Sequence, residues 1–235
     1  MNNTKSAFII SVGLVVSAII FGIFFYNARQ KEQTVRVVGY ATEDFEADII
    51  KWSFTLSVTT PLNKTTEGYE TLNQKVKIFR ELWKKKNIQT QEMNFQPVTI
   101  NKQFGQYRKI TGNILQQKIF IISKEIDKIE NIVINPLEFA KKGLGFEYSN
   151  VEYFSSELPK LKKKLLSAAT KNAMERAEEI VQSTGNKIDK LISARAGVFQ
   201  ITEPFSTDVA GYGIYQTSTR KKTIKVTVTA VFSLK

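Results

Sequence analysis

The chain has 235 residues, carries 34 lysines and arginines against 22 acids for a net charge of +12, and contains neither histidine nor cysteine. Without those two side chains, Ser-His-Asp and Cys-His catalysis, zinc sites built on imidazole or thiolate, iron–sulfur clusters and histidine-ligated haem are all excluded, and so are disulfides. The positive excess suits an anionic lipid surface, a polyanionic envelope polymer or nucleic acid, or else lysines that simply solvate helices.

The first element is an uncharged run from Ala7 to Tyr26. At about 1.5 Å per residue it spans the roughly 30 Å hydrocarbon core of a bilayer as a helix. The run is longer than the roughly 7–15 residues of a cleaved signal, and it exits through Phe24-Phe25-Tyr26-Asn27-Ala28, where a signal peptidase needs small side chains. An uncleaved signal anchor is therefore predicted over residues 1–29. Lys5 on one side is matched by Arg29, Lys31 and Arg36 on the other, so positive charge alone does not orient it. The short polar tail before the span, with no second span after it, places residues 30–235 outside the cytoplasm, in a bacterial periplasm. Those residues suit one large domain or two tightly packed halves.

A polar joint over Asn27 to Gln33 leads to a strand at Val35 to Gly39. The next strand alternates strictly, with Ile50, Trp52, Phe54, Leu56 and Val58 on a face turned to the core and polar residues on the other. After Pro61 the spacing of Tyr69, Leu72, Val76, Phe79, Leu82 and Trp83 predicts an amphipathic helix from about Asn63 to Lys86. Two strands follow near Glu92–Lys102 and Lys109–Ile122, then a short helix over Lys124–Ile134 that stops at Asn135-Pro136. Leu144, Phe146 and Tyr148 read as a strand. Ser155-Ser156 then caps a long helix whose stripe is Leu158, Leu161, Leu165, Ala169, Ala173, Ala177 and Ile180. Gly185 stands where a left-handed cap is needed, and strands over Ile188–Thr202 and Thr223–Leu234 complete the chain. Strand, helix, strand, strand thus occurs twice. The fold class is α+β, mainly antiparallel sheet covered by two long helices.

In this order the chain resembles the SIMPL-domain family of bacterial envelope proteins. The segments that carry the resemblance are Val37-Val38-Gly39-Tyr40 with Glu46-Ala47-Asp48-Ile49-Ile50, Ile110-Thr111-Gly112, Leu144-Gly145-Phe146-Glu147-Tyr148, Ala168 to Ala177 running into Thr184 to Ile188, and Lys225 to Phe232. Family members usually carry proline at the position of Ala47. The resemblance covers roughly residues 34–235. It implies a domain of unknown function in the periplasm or at the surface, without established catalytic residues. In some members it implies large ring-like or channel-like homo-oligomers and links to envelope or oxidative stress.

Three sets of residues qualify as chemistry. Ser218-Thr219-Arg220-Lys221 has Ser-x-x-Lys spacing but lacks the supporting elements of a serine acyltransferase. Glu43, Asp44, Glu46 and Asp48 offer oxygen ligands without the spacing of a calcium loop. Neither set predicts an enzyme, a metal or a cofactor. The third is the long connection Glu203 to Arg220, whose Phe205, Tyr212, Ile214 and Tyr215 suit a contact between subunits. The leading reading is a non-enzymatic membrane-anchored protein that self-associates. The alternative is a monomeric module whose basic runs Lys84, Lys85, Lys86 and Lys162, Lys163, Lys164 dock on anionic lipid or polymer. These runs lack the exposed aromatics of a single-strand nucleic-acid groove.

Overall fold

The computed structural model describes residues 2–29 and 33–235, with side chains for 7–26 and 33–235. The boundary charges Lys5, Arg29 and Lys31 lie outside the described side chains, and residues 30–32 of the expected polar joint lie outside the description. The first helix, α1 (Asn2–Arg29), runs past the predicted end of the span. Apolar on every side, such a helix belongs inside a protein or inside a bilayer. None of Ala7–Tyr26 is buried by the rest of the chain, so by length and composition the helix fits a membrane span or a signal helix. Within it Ser11 Oγ donates to the Ala7 carbonyl at 2.9 Å, which satisfies a hydroxyl that lipid cannot.

The remaining elements in chain order are β1 (Thr34–Glu46), β2 (Ile49–Thr60), α2 (Thr65–Lys85), β3 (Thr90–Phe95), β4 (Thr99–Phe104), β5 (Ile110–Ser123) and α3 (Ile126–Ile134). They continue with α4 (Leu137–Ala140), β6 (Glu147–Phe154), α5 (Leu158–Gln182), β7 (Ile188–Ala196), β8 (Gln200–Thr202), β9 (Ile214–Tyr215) and β10 (Lys221–Leu234). Two compact units divide them: Met1–Gly39 with Ala169–Ala196 and Val228–Lys235, and Tyr40–Ala168 with Gly197–Thr227.

In the first unit, β10 pairs antiparallel with β7 from Val228↔Ala196 to Leu234↔Ile188. Val37, Ala173, Ala177, Ala230 and Phe232 form its buried core. The alanine stripe predicted on α5 is what permits close packing on β1. A Cβ at Gly39 would stand 2.2 Å from the Ala169 carbonyl oxygen and 2.4 Å from the Ala173 nitrogen. The stripe ends on Val181, which is buried, rather than on the predicted Ile180, which is exposed. Gly185 takes the left-handed conformation expected of it, with φ +74°.

In the second unit a five-stranded sheet has the order β3-β5-β2-β6, with β4 also on β5, all antiparallel. The alternating residues of β2 behave as predicted: Ile50, Trp52, Phe54 and Leu56 are fully buried. On the opposite face Ser53 and Thr55 are also buried, because β2 is a central strand flanked by β5 and β6. Leu72, Val76, Phe79, Leu82 and Trp83 of α2 close the core over them, while Tyr69 stays outside. Trp52 is packed by Phe54, Phe79, Trp83 and Phe146 at ring distances of 4.3–6.4 Å. Burying each such side chain stabilises the unit by about 1.5–3 kcal/mol.

Three predicted strands come out differently. The strand expected over 92–102 splits into β3 and β4 around Gln96-Pro97-Val98, because proline cannot donate to the ladder. The one expected over 188–202 splits into β7 and β8 at Gly197. The strand placed on Leu144, Phe146 and Tyr148 begins only at Glu147. Leu144 and Phe146 precede it as loop residues packed into the aromatic core.

Candidate functional site

The connection between β8 and β10 is an ordered loop fastened at its base. Short β9 runs parallel to β8, Gln200 opposite Ile214 and Ile201 opposite Tyr215. The Gln216 amide donates to the Ile201 carbonyl at 2.9 Å, and the Tyr153 amide of β6 donates to the Thr217 carbonyl at 2.7 Å. Gln200 clamps the middle of the loop with both ends of its amide, donating to the Ala210 carbonyl at 2.8 Å and accepting from the Ala210 N–H at 3.3 Å. Gly213 turns at φ +89°, where a Cβ would stand 2.7 Å from the Phe199 carbonyl oxygen. Only glycine fits that turn without strain.

Fastening the base separates the four predicted contact residues into two kinds. Phe205, itself at φ +64°, and Tyr212 are fully exposed, as tips. Ile214 is half-buried in β9, and Tyr215 stacks on Phe154 at 6.1 Å, where partial burial raises its phenol pKa. Beneath the tips lies a groove of about 320 Å³ whose lining includes Thr42, Asp44, Phe205, Asp208, Thr223 and Lys225.

Two cations hold the end of the loop; sequence reasoning passed over Lys222 and met Arg220 only as a spacer within Ser-x-x-Lys. Lys222 is fully buried, and its ammonium donates to the Gln216 carbonyl. Gln216 in turn donates to Glu203 Oε2 at 3.0 Å. Burial pushes the Lys222 pKa down, with the Glu203 carboxylate opposing. Its signal was phase: Lys222 falls on the same alternation as Ile224, Val226 and Val228. Arg220 faces a ring of acids, with Asp127 at 2.5 Å, Glu46 at 2.6 Å and Glu130 at 3.6 Å. Glu130 also accepts from the Tyr153 hydroxyl at 2.6 Å, and burial together with that bond pushes the Tyr153 pKa up to about 12.

The other candidates are dispersed. Glu43 pairs with Lys164 at 2.8 Å, Asp44 accepts from Thr223 Oγ1 at 2.6 Å, and Glu46 meets Arg220. Asp48 accepts from the Ser156 amide at 2.7 Å and from its hydroxyl. Partial burial works to raise the Asp48 pKa, but the Ser156 bonds outweigh it and leave it lowered. The four acids thus serve four separate partners. Ser218 sits exposed in a bend and Lys221 is exposed at the start of β10, so this Ser-x-x-Lys pair does not open a helix. Of the basic runs, Lys84, Lys85 and Lys163 are exposed. Lys86 pairs with Glu138, Lys164 with Glu43, and Lys162 lies 5.3 Å over the Phe199 ring.

The paired β-α-β-β order, the alanine-on-glycine contact of α5 with β1 and the long loop before the last strand now stand together with one comparison. The SIMPL family model, described as a protein of unknown function (DUF541), matches residues 35–232. The chain belongs to the SIMPL family. The match begins just after α1, so the apolar helix lies outside the SIMPL domain proper. No curated protein matches the chain.

Proposed function

We propose that this SIMPL protein is a non-enzymatic scaffold of the bacterial envelope, held in the inner membrane by α1 with its domain in the periplasm, which self-associates through the 203–220 loop. One observation carries the reading: Phe205 and Tyr212 are fully exposed on a loop whose base is fastened by hydrogen bonds and the buried Lys222. A preorganised loop loses little entropy on binding, and each aromatic side chain it offers buries about 150–250 Å². The absence of histidine and cysteine and the dispersed acids support a role that is not catalytic.

The mass of the particle extracted in detergent tests this. The expected result is a multiple of the 26.7 kDa subunit, falling toward a single subunit in the double variant Phe205→Ser, Tyr212→Ser. A wild-type protein that is one subunit per particle, or a variant that keeps the wild-type mass, overturns it.

A further inference from the structure

The hairpin joining β4 to β5 carries large apolar side chains into solvent at its tip. β2 is last paired at Thr60↔Asn113, so the end of the hairpin outruns its neighbour in the sheet. At the tip Phe104 is 63% exposed and Tyr107 93%, and Ile110, paired with Phe104, is exposed beside them. Large apolar side chains at a bare tip are unfavourable in water and mark a site of contact.

The tip is also a fixed shape. Gly105 N–H donates to the Lys109 carbonyl at 2.8 Å, and Tyr107 and Arg108 follow one another at φ +57° and +58°. Two consecutive bulky residues in the left-handed region cost free energy, and such strain persists where the surrounding structure holds it. Its effect here is to leave Tyr107 standing clear of the sheet.

Charge decides what the tip fits. Arg108 and Lys109 lie in the tip itself and Lys102 two residues before Phe104, and no acidic residue occurs along the chain between Glu92 and Glu125. Exposed aromatic and aliphatic groups flanked by arginine and lysine, without acids, are the composition that buries a few ångströms into the headgroup boundary while its cations meet anionic lipid. A single-strand groove would need a longer row of stacking rings, and a protein cleft would not require so complete an exclusion of acids.

We propose that the β4–β5 hairpin tip, Phe104 to Ile110, is a docking finger for the surface of an anionic bilayer. The site is separate from the 203–220 loop and from the lysine runs of α2 and α5. The finger rests on the anchored reading only in that α1 keeps the chain near a membrane.

The test is a fluorescence reporter, Tyr107→Trp, in the full chain reconstituted into vesicles of phosphatidylcholine alone or with phosphatidylglycerol. The native tryptophans, Trp52 and Trp83, are buried and give a constant background. With phosphatidylglycerol the reporter emission is expected to shift to the blue and to be quenched by brominated lipid. Both effects should weaken in high salt and disappear when Arg108→Gln and Lys109→Gln are added, since two basic side chains contribute on the order of a 25-fold preference. Co-flotation with neutral vesicles reports α1 independently of the reporter. A reporter that keeps water-exposed emission in both lipids overturns the finger even where the protein floats. Equal quenching in neutral and anionic lipid overturns its electrostatic basis.

Discussion

Replacing Gly39 by alanine tests the packing of α5 on β1 directly. Gly39 has no positive φ, so its backbone would accept a side chain and the obstacle is steric alone. The added Cβ would meet the Ala169 carbonyl oxygen at 2.2 Å, the Ala173 nitrogen at 2.4 Å and the Ala173 Cβ at 2.7 Å. The nearest contact is about 1.2 Å short of an ordinary 3.4 Å separation. Overpacking of this kind costs about 1–3 kcal/mol, and the upper end applies because two of the three obstacles are backbone. The lower entropy of an unfolded alanine returns about 0.4–1 kcal/mol. A net loss of about 2 kcal/mol lowers the melting temperature of a domain this size by about 4–8 °C. Thermal unfolding of the full chain in detergent, followed by circular dichroism, reads it. Gly145→Ala, where nothing stands within 4 Å, is the control and should stay within about 0.5 kcal/mol. Adding Ala173→Gly to Gly39→Ala should not rescue, because the two backbone contacts remain. A melting temperature unchanged by Gly39→Ala, or restored by the second change, would refute the reasoning.

Two further predictions concern charge. The Lys222 pKa is lowered by burial, so its contribution to stability is full above the unfolded value of about 10.4 and is lost as pH falls through the folded value. Wild type should therefore gain on Lys222→Met in melting temperature between about pH 7 and about pH 10, and a constant difference would show that the ammonium is not desolvated. Asp48→Ala removes the acceptor of both Ser156 bonds before α5 and should cost about 1 kcal/mol near neutral pH. Because the Asp48 pKa is lowered, that advantage is present above about pH 3.9 and disappears as pH falls through the folded value; urea midpoints equal for the two proteins near neutrality would contradict it.

Much of the fold was legible because the core elements follow one period each. Alternation identified the buried side of β2 and β10, and spacings of three and four identified the face of α2. The misplaced boundaries share a cause: local pattern does not reveal where pairing stops. Leu144 and Phe146 look like strand residues because they are buried alternately, yet the aromatic cluster around Trp52 buries them, not a ladder. The site was legible as a long loop with exposed aromatics. That Tyr215 would lean on Phe154 while Tyr212 stood free depended on β9 pairing with β8, a two-residue parallel contact with no sequence signature. Lys222 was legible by phase, but its charge argued against burial, a conflict that the Gln216 carbonyl and the Glu203 carboxylate meet.

The lysine runs show why length of a charge run is a poor guide to a binding surface. Lys84 and Lys85 lie in the last turn of α2, where the helix dipole favours cations, so fold stability alone accounts for them. The run at Lys160 to Lys164 occupies the first turns of α5, where the dipole opposes positive charge. There Lys160 meets Glu157 at 2.8 Å, Lys164 meets Glu43 at 2.8 Å, and Lys162 lies over the Phe199 ring. A helix start that crowded with cations has to be compensated locally, and compensated charge attracts a distant partner weakly. Arg108 and Lys109 form a shorter run, but they lie in a stretch without acids and beside exposed Tyr107 and Ile110. Basic side chains beside exposed apolar surface, in a stretch without acids, are what favour the hairpin over the helices as the proposed membrane contact.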